Sequence, residues 1–525
     1  MSSSNQLEIR RSSAALRGEK TGIRQMPVVS KYIDTTTCIG CKACEVACQE
    51  WNDLQTIHTQ QIGSYQTIPS LDANFWNLIK FKEEEHGGGL SWLMRKDQCM
   101  HCADPGCLAA CPAPGAIVQY ENGIVDVNSE ACIGCGLCAT GCPFDVPRFS
   151  ARTGKMAKCT LCIDRTTVGL EPACVKACPT GCLQFGPKTD MVNLAMERVK
   201  QLAANGFPKA AVYDPKGVGG TSVVTVLAHG DHPEWYELPA DPVIPLGVKA
   251  SKSVIKPLGL VAIFGAVGVS FLHFLRFGPK EARHWDGGEG AADAPYRRGP
   301  GAVTAAPKAP PSAENIVIGD QIVRHRVSSR IIHWSVALFF FLSLLSGLPI
   351  WTPIFGWMAP LFGGLAVCRW LHPWAGIVFF ASALVMFVHW LRDMKMLPQD
   401  WGWFGPKMVD YFLGRGEDPD VGKYNGGQKL FFFAVALGAA GLIVSGLVLW
   451  FPLSFPRMAS ELATLLHDVT FIVFVVALIL HVYLGTAAEP GTFHSMIRGT
   501  VTRRWARFHH PRWYREVTGE QPRRP

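Results

Sequence analysis

Of 18 cysteines in 525 residues, all but Cys368 lie before residue 183, and all of those but Cys182 fall into four tight groups of four. Thiols gathered this closely suit metal better than disulfides, whose partners would be scattered along the chain. The first group is Cys38, Cys41, Cys44 and Cys48; the third is Cys132, Cys135, Cys138 and Cys142, followed by Pro143. Both have the C-x2-C-x2-C-x3-C run of bacterial ferredoxins, in which three thiolates wrap one iron–sulfur cube and the fourth ligates its neighbour. Gly40, Ala43, Gly134 and Gly136 are small enough to let the backbone curl close to the sulfurs. The second group, Cys99, Cys102, Cys107 and Cys111, widens one gap, and the fourth, Cys159, Cys162, Cys174 and Cys178, opens a gap of eleven residues. Together the groups fill four [4Fe-4S] clusters. Zinc uses two C-x2-C pairs and gives no reason for the third and fourth cysteine at these spacings.

Because the fourth cysteine is exchanged, the groups must pair. Either two pairs with three and one with four around them, or one pairs with two and three with four. Cys182 has no partner in the pattern and reads as a small buried hydrophobe. Between the groups, "GAIVQYENGIVDVN" predicts two short strands around an Asn-Gly turn, and "GVGG" at 217–220 predicts a loop rather than a nucleotide site.

Beyond about residue 255 the composition changes. Apolar runs near 257–277, 331–350, 371–391, 430–450 and 464–485 are each long enough to span a bilayer, whereas the stretch at 353–367 is too short and predicts an interfacial loop. Residues 276–330 carry nine Lys and Arg, 391–429 six and 486–525 eight, against one each in 351–371 and 451–463. The first set is expected in the cytoplasm, which puts the cysteine-rich half on the outer side. Four histidines then share two depths. His333 and His481 lie at the inner ends of the second and fifth spans, His372 and His467 at the outer ends of the third and fifth. His467 and His481 are fourteen residues apart, on one helix face and separated by about 21 Å. Single intramembrane histidines can serve as interhelical hydrogen-bonding groups, but two per level predicts two bis-histidine b haems. His273 and His389 have no partner at their own level and read as polar glue or neighbours of a quinone pocket. "GGEGAADAPYRRGPGAVTAAPKAPP" predicts a flexible join between once-separate units.

The phrases "KYIDTTTCIGCKACEVACQEWND", "KDQCMHCADPGCLAACP", "NGIVDVNSEACIGCGLCATGCPFDVPR" and "YDPKGVGGT" resemble the iron–sulfur (beta) subunit of respiratory membrane-bound formate dehydrogenase. "LHPWAGI", "DVGKYNGGQK" and "RRWARFHHPRWYRE" resemble its cytochrome b556 (gamma) subunit. That family keeps the two as separate chains, and here they are joined. The resemblance implies nested clusters: Cys38, Cys41, Cys44 and Cys178; Cys48, Cys159, Cys162 and Cys174; Cys99, Cys102, Cys107 and Cys142; Cys111, Cys132, Cys135 and Cys138. It implies haem iron on His333 with His481 and on His372 with His467, and a menaquinone or ubiquinone near His481, with Asn425 and Gln428 lining the pocket.

It further implies a catalytic alpha subunit holding molybdenum or tungsten, a higher oligomer of the complex in a bacterial inner membrane, and a role in anaerobic respiration. The chain itself offers no pterin site and no catalytic residue, and no nucleic acid is expected. "MSSSNQLEIRRSSAALRGEK" has an Arg pair without an apolar region, so it is not expected to be a signal peptide; the resemblance implies export on the partner's twin-arginine signal. The expected fold class is α+β: a double ferredoxin-like four-cluster domain at 31–250 after a partner-packing tail at 1–30, a transmembrane anchor helix at 251–278, a linker at 279–318, and an all-α four-helix dihaem cytochrome b at 319–525. The resemblance implies a wire that carries electrons from formate, oxidised on the partner, through the four clusters and two haems to quinone; two other readings are the same wire serving a nickel–iron hydrogenase or another molybdopterin oxidoreductase, and a structural anchor whose cysteines hold zinc and whose histidines only pack.

Overall fold

The computed structural model describes residues 7–15, 26–61, 63, 65–279, 313–413 and 420–520. They form two compact units, one of Met1–Val254 with Leu345–Leu371 and Leu447–Leu465, the other of Ile255–Leu344, His372–Gly446 and Leu466–Pro525.

The first unit is built on a four-stranded sheet in the order Ala211–Tyr213, Val223–Leu227, Val29–Asp34, Leu183–Pro187. Its two central strands run parallel, Val223 opposite Lys31 and Val226 opposite Asp34. Strand alternation sorts the faces. Tyr32, Val224 and Val226 pack under the helix Lys188–Ala204 with Ala195 and Leu202, whereas Ile33, Val223 and Leu227 face the other way, into a core containing Cys44, Cys102, Cys174 and Cys182. A long hairpin, Asn77–His86 with Gly89–Gln98, closes through Gly87 and Gly88, both at positive φ as a two-residue turn requires. The expected hairpin at 115–128 forms as Ile117–Tyr120 against Val125–Val127. Its outer neighbour is Ile9–Ser12, so the described part of the N-terminal tail pairs with its own chain. The "GVGG" segment is a short 3-10 turn followed by two glycines at positive φ, a loop as expected.

Among the described residues five helices are long and apolar enough to cross a membrane: Leu246–Phe277, Val327–Trp351, Leu365–Trp390, Gly426–Trp450 and Arg457–Ala488, termed the first to fifth spans. Four of them start several residues before the expected run with polar or mixed turns, whereas the third takes its extra first turns, Leu365–Trp370, from residues that are apolar but for Arg369, three of which belong to the stretch expected to be a loop. The third starts at Leu365, and Pro353–Phe362 before it is 3-10. Pro257 lacks an N–H and clashes with the preceding turn, and the first span absorbs this in a π segment over Ser251–Ile255.

In the second unit the strands Ile316–Ile318, Gln321–Val323 and Thr500–Thr502 form a small antiparallel sheet. The expected all-α cytochrome region therefore carries a sheet, whose first strand lies inside the expected linker. The rest of that linker, 280–312, lies outside the described residues. The sheet packs on Trp505, Trp513 and Tyr514 of the C-terminal helices.

Candidate functional site

The loop before the first short helix, Ala43–Trp51, turns through Gly40 at φ +65 with Phe81 against its α-carbon, and Gly134 at φ +66 occupies the equivalent place in the third group, where a side chain would collide with the Gly154 carbonyl. These turns gather the thiols. Cys38, Cys41, Cys44 and Cys178 line one cavity; Cys111, Cys132, Cys135 and Cys138 line a second. Cys48 has Cys159, Cys162 and Cys174 as its electrostatic neighbours, and Cys102 has Cys142, Cys99 and Cys107. The thiols of these two cavities surround enclosed spaces, which suits a body of several atoms.

The four sets follow one another. Cys44 of the first is within electrostatic reach of Cys174 of the second. Cys159 of the second packs with Cys99 and Cys142 of the third. Cys107 of the third packs in the core that holds Cys132 and Cys138 of the last. The series starts at an exposed thiol, Cys41. It ends where Leu365 packs on the last set and Gly136 approaches Pro452 so closely that a Cβ would lie 2.6 Å from its ring.

Burial pushes the Cys48 and Cys135 thiols up to about 12 and those of Cys142 and Cys162 to about 11. Bare thiolates are disfavoured at these positions, so a positive group must accompany deprotonation. Cys174 is lowered instead: burial opposes this, and Lys31 and Lys96 overcome it. Lys31, Lys96 and Lys158 are buried to within 6% of full. Lys31 Nζ donates to Cys174 Sγ at 3.1 Å and Gln98 Oε1 at 2.9 Å. Cys182 is buried, as expected, but it also lines the first cavity, with its Sγ 3.4 Å from that of Cys178. Neither the lysines nor this role of Cys182 was visible in the spacing; alternation on the strand Val29–Asp34, which puts Lys31 on the same face as Ile33, was the available signal for the first.

In the second unit the histidines meet as their depths predict. The His333 and His481 rings are 6.3 Å apart and the His372 and His467 rings 6.2 Å. Two metal–nitrogen bonds of about 2 Å plus the ring half-widths give roughly 6 Å, so an iron fits between each pair. His372 Nδ1 lies 2.9 Å from the Ser343 carbonyl oxygen and donates to it. Ser445 donates its own proton to the Gly441 carbonyl at 2.6 Å and accepts from His467 Nδ1 at 2.9 Å. Both bonds fix the tautomer that leaves Nε2 for a metal. His481 stacks on Phe431 at 4.3 Å.

Phe474 lies seven residues from both His467 and His481, and stacks on Phe340 at 4.7 Å with Phe379 5.9 Å away. All three rings are buried, and Gly438 makes room for them, since a Cβ there would lie 2.6 Å from Phe474. His273 bonds Tyr483 and the Phe412 carbonyl, and His389 bonds Ser329, which is the polar-glue role. Asn425 and Gln428 each accept the other's backbone N–H, at 2.8 and 3.1 Å, capping the fourth span.

Residues 37–116 and 90–188 match the family described as 4Fe-4S dicluster domain, 244–285 the transmembrane region of formate dehydrogenase N, and 324–499 prokaryotic cytochrome b561. The chain is 53% identical over 253 residues to the formate dehydrogenase iron–sulfur subunit of Haemophilus influenzae, covering 48% of this chain and 81% of the relative. It is 53% identical over 255 residues to the formate dehydrogenase-O iron–sulfur subunit of Escherichia coli, covering 48% and 85%. It is also 36% identical over 201 residues to the Escherichia coli formate dehydrogenase cytochrome b556(fdo) subunit, covering 38% and 94%. The iron–sulfur and cytochrome matches thus meet in one polypeptide that carries iron–sulfur domains, a cytochrome b region and, among the described residues, five helices long and apolar enough to cross a membrane. The chain belongs to the formate dehydrogenase iron–sulfur subunits, fused to their cytochrome b partner, as an electron-transfer subunit of a membrane formate dehydrogenase.

Proposed function

We propose that the chain carries electrons from formate, oxidised at a molybdenum or tungsten centre on a catalytic partner, through four [4Fe-4S] clusters and two b haems to a membrane quinone. The ligands are the four nested cysteine sets and the pairs His372 with His467 and His333 with His481. The observation that carries this is the unbroken order of thiol sets, from exposed Cys41 to the set beside Leu365 and Pro452. Arg369, in the same unit as that last set and in its electrostatic neighbourhood, stands three residues before His372 in the third span. Electrons would therefore leave the last set for the His372 site. The clusters and haems supply one-electron chemistry; the protein's part is to hold them in sequence, keep water out and tune their charge.

The lysine and arginine bias of the loops supports an iron–sulfur unit on the outer side and a cytoplasmic C-terminus. Quinone would then be reduced at the inner level beside His481. Asn425 and Gln428 use their carbonyl oxygens on the cap, which leaves their amide N–H groups to meet a quinone oxygen. Formate would release its proton outside while quinone takes protons from inside, so electron flow alone would separate charge. The test is to isolate the complex and add formate. Reduction of both haems followed by quinone, with molybdenum or tungsten in the partner, is expected; nickel and hydrogen-dependent reduction would replace this reading with the hydrogenase one.

A further inference from the structure

Three ammonium groups are sealed inside the iron–sulfur unit, and one thiol set lies within electrostatic reach of all three. Lys31 bonds Cys174 and lies within electrostatic reach of Cys159 and Cys162. Lys96 bonds Asn77 and Cys44, the latter in the preceding set, and also lies within reach of Cys174 and Cys48. Lys158 donates to the carbonyls of Val125 and Cys159, at 2.5 and 3.0 Å; its leading thiol neighbours are Cys99 and Cys107 of the following set, with the Cys159 thiol also in reach. Among the described residues none of the three pairs within 4.0 Å with a carboxylate; Glu45 is the acidic neighbour of Lys96 and Asp126 that of Lys158. Burying an ammonium without a counter-charge costs several kcal/mol. A cluster ligated by four thiolates is negative in either oxidation state and more so when reduced, so it is the counter-charge this arrangement fits.

We propose that Lys31, Lys96 and Lys158 make the cluster held by Cys48, Cys159, Cys162 and Cys174 the highest-potential step of the four. A buried positive charge stabilises the reduced, more negative state over the oxidised one, and does so strongly where the dielectric is low. The other sets have fewer buried ones: Lys96 alone at the first, Lys158 joined by the half-buried Arg457 at the third, and at the last only the less enclosed Lys155, Lys252 and Arg369. One electron leaves the Cys38 set, which is oxidised, and reduces the Cys48 set; no bond breaks and no proton moves. The second position thus holds an electron while the next arrives, which suits a two-electron donor feeding a one-electron path. This rests on reading the thiol sets as [4Fe-4S] clusters.

The experiment is a redox titration of the intact complex followed by electron paramagnetic resonance, in the wild type and in Lys31→Met, which keeps the volume and removes the charge. In the variant the first signal to appear on reduction should titrate at least tenfold less readily, about 59 mV lower, with the iron content intact and the other midpoints in place. An unchanged first midpoint at full iron content overturns the proposal. The wild type decides independently if the variant does not assemble: the first-reduced cluster must have a neighbour on each side, so its signal should broaden in two stages as the others fill. Broadening in a single stage, the mark of an end cluster, overturns the proposal as well. Fewer than four clusters in the wild type would instead overturn the reading beneath it.

Discussion

The bond between Ser445 and His467 offers a sharp test of the outer haem. Ser445 Oγ donates to the Gly441 carbonyl and therefore accepts from His467 Nδ1 at 2.9 Å. That contact makes the imidazole a stronger base and so favours the ferric, more positive iron. Ser445→Ala removes the acceptor from a residue only 1% exposed, where the lost hydrogen bond is worth about 1 kcal/mol. Should most of it act on one oxidation state, the outer haem midpoint rises by about 40 mV, since a tenfold change corresponds to about 59 mV for one electron. The assay is an optical titration resolving two b-type components. The His372 bond to the Ser343 backbone carbonyl is untouched by this substitution, and the inner pair is a different site. One component should move upward and the other stay. A shift in both, a downward shift, or no shift at full haem content would refute the assignment of His467 as a ligand held by Ser445.

Under nested ligation Cys178→Ser and Cys41→Ser should abolish the same cluster signal in electron paramagnetic resonance, whereas pairing of the first group with the second would make them abolish different ones. His333→Ala should leave one haem, reducible by formate, and block quinone reduction; pyridine haemochrome content and quinol formation measure this. Gly106→Ala would drive its new methyl into the Gly141 carbonyl where two short cluster helices cross, lowering stability by about 1–3 kcal/mol, read as an earlier thermal loss of iron–sulfur absorbance. Phe474→Ala should cost about 3–5 kcal/mol, seen in the thermal midpoint of the haem bands.

The spacing of the cysteines and the depths of the histidines carried most of the site, because both are periodic constraints that a one-dimensional string preserves. Fourteen residues between His467 and His481 is a length along an axis, and the two ring pairs at 6.2 and 6.3 Å follow from it. Charge inside a core leaves no such trace. Lys31 sits in "SKYID", which reads as an ordinary strand with a solvated lysine; only the packing of both sheet faces shows that the lysine is enclosed. Cys182 likewise looked like a spare thiol until the sheet brought it beside Cys178. The helix ends were illegible for the opposite reason: hydropathy marks where lipid is, whereas capping groups such as Asn425 and Gln428 mark where the helix starts.

The phenyl rings of Phe340, Phe379 and Phe474 have a consequence beyond packing. They hold no atom that can bind or pass a proton, and Phe474 stands midway along the fifth span between His467 and His481, where the proposed electron path would run. Were the proposed haems in place, such a layer would let electrons through and hold protons back, like the dielectric of a charged capacitor, so that the voltage created by the proposed wire would not be short-circuited through it.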